Sequence, residues 1–134
     1  MTITFSVPGV PTGKKRPRFS RFGNHVRTYQ PADDARRENL VALAFREAAG
    51  SIPPHAGPVA VSVEAVFIPP LSWSKKRRAD PGHKVSKPDV DNLAKSVLDG
   101  LNGLAFIDDS QIVRLEAGKR FGDTNEIIVT IKQL

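Results

Sequence analysis

The stretch Lys87–Gln111 reads KPDVDNLAKSVLDGLNGLAFIDDSQ. Five Asp and two Lys interrupt an otherwise apolar run. Pro88 disfavours a helical residue before it and suits a helix start. Val90, Leu93, Ala94, Val97, Leu98 and Leu101 then follow the spacing of an amphipathic helix. Gly103, after Asn102, marks its stop. Asp91, Lys95 and Asp99 are each four apart, so they share the face opposite the apolar stripe. Asp89 and Asp91 diverge inside a helix; they converge only if Asp89 lies in an extended entry segment. Asp108 and Asp109 follow the helix.

The flanks read mostly as strands. Ile3, Phe5 and Val7 alternate until Pro8-Gly9-Val10-Pro11 ends the run. Val59, Val61, Val63, Ala65 and Phe67 alternate in the same way. Ile112–Phe121 reads as a strand, Gly122–Asn125 as a turn, and Ile127, Val129 and Ile131 as the last strand of an antiparallel hairpin. A second helix starts near Pro31, with Asp33 and Asp34 at its positive dipole end. Its stripe is Leu40, Val41, Ala44, Phe45 and Ala48, and Gly50 stops it. Asp33, Asp34, Glu38 and Glu47 are read as dipole partners and surface charge. The order β-α-β-α-β-β predicts a single α+β domain over 1–134, with two main helices layered on a mixed or antiparallel sheet. Two polar, basic loops interrupt it, at about 12–24 and 71–86. The first could close as a loose hairpin onto His25–Tyr29.

A chain of 134 residues suits one domain with a modest core. There is no Cys, which excludes a disulfide frame, a thiol nucleophile and a zinc-thiolate site. No signal peptide and no apolar run near the ~20 residues of a membrane span is visible, so a cytoplasmic protein is the expectation. The net charge is +6 and the pI about 10.0, which favours a polyanionic partner. Lys14, Lys15, Arg16, Arg18, Arg21 and Arg27 form one basic block; Lys75, Lys76, Arg77, Arg78, Lys84 and Lys87 form another. On charge alone, Lys14, Lys15, Arg16 and Arg18, then Lys75, Lys76, Arg77, Arg78 and Lys87, are the candidates for gripping that polyanion. The competing reading is that the loops serve solubility. Trp73 either stacks on a base or caps the edge of the core.

Hard divalent cations prefer oxygen ligands, and Mg²⁺ takes one or two protein carboxylates plus substrate phosphates. Asp89, Asp91 and Asp109 suit that role by type. Lys95 suits stabilisation of negative charge at a reacting phosphate. The competing reading is structural: Asp89 caps the helix and Asp91 pairs with Lys95, for ~0.3–0.5 kcal/mol. His25, His55 and His83 are scattered without metal-ligand spacing. Neither a Gly-x-Ser-x-Gly elbow nor a phosphate-binding P-loop is present.

The segments K-P-D-V-D-N-L-x-K, x-x-L-D-x-L-N-G and D-D-S-Q-I-V together resemble the RusA family of Holliday junction resolvases, frequent in bacteria and their phages. The resemblance implies a small homodimer that binds four-way DNA junctions and cuts them by paired nicks with Mg²⁺, for which Mn²⁺ could substitute. By position it places the family's essential acids on Asp89, Asp91 and Asp109, and its functional lysine on Lys95. Asp99 and Asp108 match residues typical of the family. The N-terminal segment matches least. The alternative function is a non-catalytic DNA-binding protein that keeps the same fold.

Overall fold

Alternation becomes strand and the 3.6-residue period becomes helix. The computed structural model describes residues 1–14, 18–22, 25–29 and 32–134. Its elements are β1 (Thr2–Pro8), β2 (Arg18–Phe22), β3 (His25–Tyr29), α1 (Ala32–Ala49), β4 (Val59–Phe67), α2 (Lys75–Ala79), α3 (Val90–Leu101), β5 (Ile112–Phe121) and β6 (Glu126–Gln133). A four-stranded mixed sheet runs β1-β6-β4-β5, with β4 and β5 parallel and the other neighbours antiparallel. β2 and β3 form a separate antiparallel hairpin, Arg18 opposite Tyr29 and Phe22 opposite His25. The α+β, two-helix, single-domain expectation holds.

The closing hairpin does not. β5 and β6 are not neighbours, because β4 lies between them. Local alternation marks a strand but not its partner. β4 is the strand whose end is buried on both faces, Val66 and Phe67 included, so the interior of the sheet suits it. The link Gly122–Asn125 therefore passes over the end of β4 and binds it. The Gly122 N–H donates to the Phe67 carbonyl at 2.9 Å, and the Ile68 N–H donates to Asn125 Oδ1 at 2.8 Å. β5 is left at the sheet edge, largely exposed.

The core lies between the sheet and α1 with α3. Val41 and Phe45 of α1, with Leu93, Val97 and Leu101 of α3, pack on Phe5, Val7, Val61, Val63 and Val129. Phe5 meets Phe45 edge to face at 5.9 Å. The helices touch at Gly100, where an added Cβ would stand 2.9 Å from Val41 Cβ and 3.0 Å from the Glu38 carbonyl. The stripe of α1 is rotated from the expected one. Leu40 and Ala48 are exposed, while Asp34 and Arg37 are buried beside Val41 and Phe45. The cause is the segment leaving β1, which lies over the helix. Arg37 Nε donates to Thr12 Oγ1 at 3.3 Å, and its Nη2 donates to the Val10 carbonyl. Asp34 is thus an interior group and not surface charge. Within the 71–86 loop, Ser74 Oγ accepts from the Arg77 N–H at 3.2 Å and caps the short helix α2.

Candidate active site

Asp89 is the N-cap of α3, with φ −72° and ψ 143°, the extended conformation that convergence on Asp91 requires. Its carboxylate makes no capping hydrogen bond, so the capping reading fails for this side chain. It stands 3.7 Å from Lys87 Nζ, and both side chains are exposed. The Lys87–Pro88 peptide is cis.

From that start the four-residue spacing puts Asp91, Lys95 and Asp99 on one face, but that face borders the apolar stripe and does not oppose it, since Val90, Ala94 and Leu98 line the same cleft. Asp91, Lys95 and Asp99 line one side of a cleft of about 360 Å³, and Asp109 joins them. The apolar wall comes from two elements: Val90, Ala94 and Leu98 of α3, and Leu115 and Ala117 of β5. Val90 and Leu98 belong to the helix's apolar stripe but are not fully buried, because they face the edge strand across the cleft. Residues 91 and 109 meet there because β4-α3-β5 is a parallel crossover, which returns the chain beside the helix it has just left. Asp89 does not line this cleft; it lines a separate groove of about 350 Å³ with Gly13, Lys14, Lys87 and Asn92.

Asp99 has a second role. Lys14 pairs with Asp99, and with Glu38 of α1 at 3.4 Å, while Lys95 Nζ stands 3.9 Å from Asp99. Burial would lower the Lys14 pKa, but the Asp99 and Glu38 carboxylates outweigh it and hold it above the ordinary lysine value. The Lys14 N–H also donates to the Asn92 carbonyl at 3.1 Å. This close approach needs Gly13, whose Cβ would fall 2.8 Å from Asn92 Cβ. Lys14 is therefore a clip between α1 and α3. By occupying Asp99 it leaves Lys95 only a long ion pair.

The D-D-S-Q run divides its labour. Asp108 caps a 3₁₀ turn, Asp109–Gln111, accepting from the Ser110 N–H at 3.1 Å. A hydrogen bond from the Ser110 side chain, and then this one from its backbone, hold the Asp108 carboxyl below the ordinary Asp value. Gln111 Oε1 accepts from the Asp108 N–H at 2.9 Å. Gln111 Nε2 donates to the His55 and Gly57 carbonyls at 2.7 and 2.8 Å. The neighbours of Asp109 are thus locked to the backbone. The capping-box spacing of Asp108 and Gln111 was the signal for this in the sequence.

Among the described residues, no three carboxylate or imidazole groups stand together as a ready-made metal cage. Of the three carboxylates on the cleft, Lys14 holds Asp99, and the remaining two, Asp91 and Asp109, fit Mg²⁺, which retains waters and takes its remaining ligands from phosphate. Asp89 lies two residues before Asp91, at the N-cap of the same helix. Among the described residues, no helix is long and apolar enough to cross a membrane.

A family model described as endodeoxyribonuclease RusA matches residues 8–132. The chain belongs to the RusA endodeoxyribonuclease family. It is also 35% identical over 139 residues to the uncharacterized protein YqaN of Bacillus subtilis (strain 168), covering 98% of this chain and 96% of that one. In this RusA-family chain the basic residues are distributed unevenly in role. Lys75, Lys76 and Arg78 are exposed on α2. Arg77 lies 3.6 Å from the centroid of the Trp73 ring, and Trp73 meets Phe121 edge to face at 5.4 Å. Trp73 thus packs against the end of the sheet. Lys87 is exposed beside the site. Lys15 and Arg16 lie outside the described residues, and Arg18 is described only as the first residue of β2.

Proposed function

We propose that this chain is a Mg²⁺-dependent, structure-selective endodeoxyribonuclease that resolves four-way DNA junctions by paired symmetric nicks in recombination and repair, with Mn²⁺ as a working substitute. The observation that carries the reading is the shared cleft of Asp91, Lys95 and Asp109 in a chain of the RusA family. Asp91 and Asp109, with Asp89 beside them, are the proposed metal ligands. A bound divalent ion would neutralise charge at the phosphorus and acidify the attacking water. Lys95 contributes a cation on the same wall, available to the phosphate because Lys14 occupies Asp99. Lys75, Lys76, Arg78 and Lys87 supply long-range attraction for the arms, with Lys15, Arg16 and Arg18 as further candidates. A C2 dimer brings two equivalent clefts to a two-fold substrate, so both strands can be cut before release.

The test is cleavage of a synthetic four-way junction in Mg²⁺, in Mn²⁺ and with chelator, beside the Asp89→Asn, Asp91→Asn and Asp109→Asn variants. Metal-dependent paired nicks, lost in all three variants while junction binding persists, are expected. Binding with no cleavage in either metal would favour the non-catalytic alternative. Solution mass should be near twice 14.6 kDa. Mixed wild-type and Asp91→Asn dimers should nick one strand only.

A further inference from the structure

Three consecutive carbonyls, Ser86, Lys87 and Pro88, lead into Asp89. Two lysines outside the family motif hold all three. Lys119 of β5 donates to the Ser86 carbonyl at 2.7 Å and the Pro88 carbonyl at 2.9 Å. Lys84 donates to the Lys87 carbonyl at 2.9 Å and to Ser86 Oγ at 2.5 Å. The Lys84 ammonium also lies 4.7 Å from the centroid of the Phe67 ring and 5.8 Å from that of Phe121. A basic side chain reserved for DNA would point to solvent; these two point at backbone oxygen. Burial, and then the Lys119 ammonium, lower the Lys84 pKa, so the two like charges are held together at a cost.

The Asp89 carboxylate has no capping bond, and among the described residues its one ion pair is the long, exposed contact to Lys87. Its position is therefore set by its backbone. Asp109 is held in the same manner by the Gln111 lock. Lys119 lies on the strand that supplies Leu115 and Ala117 to the cleft, so one strand carries both the wall and the anchor of the opposite acids.

We infer that Lys119 and Lys84 are positioning residues of the nuclease site, clamping Ser86–Pro88 and thereby setting Asp89 and Asp91 against Asp109. The inference rests on the nuclease reading above. A displacement of about 1 Å at a reacting centre costs on the order of 100-fold in rate. The clamp therefore acts on catalysis without touching DNA.

The test uses full-length Lys119→Met and Lys84→Met, with Lys119→Arg as the conservative variant. Amide hydrogen exchange over 86–93 is read against exchange in β4. Single-turnover junction cleavage is measured across a Mg²⁺ titration, beside junction affinity. Loss of charge-assisted hydrogen bonds should speed exchange at 86–93 by roughly tenfold or more, with β4 unchanged. Cleavage should fall about 10- to 100-fold, or need correspondingly more Mg²⁺, at near-normal affinity. Lys119→Arg should restore part of both. Should Lys119→Met loosen β4 as well, Lys84→Gln is read in its place, since Lys84 lies outside the sheet. Wild-type exchange at 86–93 or a wild-type Mg²⁺ titration in the Met variants overturns the inference, as does a loss confined to affinity. A wild-type protein that binds junctions but cuts none would instead sink the nuclease reading, and the exchange arm would still decide whether the lysines hold the segment.

Discussion

Replacing Gln111 with Leu should separate holding an active-site acid from being one. Gln111 makes three hydrogen bonds, to the Asp108 N–H and to the His55 and Gly57 carbonyls, at 2.7 to 2.9 Å. At a net 0.5–1.5 kcal/mol each, their loss amounts to roughly 2–4 kcal/mol. For a domain of this size 1 kcal/mol moves Tm by about 4 °C, so a fall of roughly 8–15 °C is expected. The same change frees the turn that carries Asp109, so single-turnover cleavage should fall together with stability. Gln111→Glu should be at least as damaging, because it aims a carboxylate at two carbonyl oxygens. Asp109→Asn is the contrast: it should remove cleavage and leave Tm near wild type, since Asp109 is exposed. Thermal unfolding by circular dichroism and rapid-quench cleavage would be run on the same preparations. Gln111→Leu with Tm within about 2 °C of wild type and normal cleavage would refute the reasoning.

Lys95→Ala should slow single-turnover cleavage far more than it weakens junction binding, because one charge among many adds little to phosphate attraction; a simple surface ion pair would leave turnover normal. Neutralising Lys75, Lys76 and Arg78 together should reduce the salt slope of junction binding by up to about 3, and an unchanged slope would remove α2 from the DNA-facing surface. Lys14→Met should instead cost about 1–2 kcal/mol of stability, visible in urea unfolding, with little change in that slope, because Lys14 is engaged by Asp99 and Glu38. Gly100→Ala gains about 1 kcal/mol of helix propensity but inserts a methyl 2.9 Å from Val41 Cβ, for about 1–3 kcal/mol of overpacking, so a net loss of up to about 2 kcal/mol is expected; a net gain of stability would mean that α1 and α3 separate easily.

The sequence by itself determined what is local. The period of Val90–Leu101 is a helix period, and Asp91 and Lys95 share a face because four residues are about one turn. A dense motif, D-x-D-N-L-x-K with a later D-D-x-Q, carried the family. Only the tertiary structure decided what depends on distant partners. Alternation in Ile112–Phe121 and Glu126–Gln133 could not say that β4 would separate them, because pairing is set by burial across the sheet and not by adjacency in the chain. Charge in the chain could not distinguish Lys14, Lys84 and Lys119, which hold helices and carbonyls, from Lys75 and Lys76, which face solvent. A lysine's role follows from whether an oxygen lies within reach in three dimensions, and those oxygens come from residues two to 85 positions away. The cleft is tertiary for the same reason: Asp91 and Asp109 become neighbours only when the crossover from β4 to β5 lays the edge strand against α3.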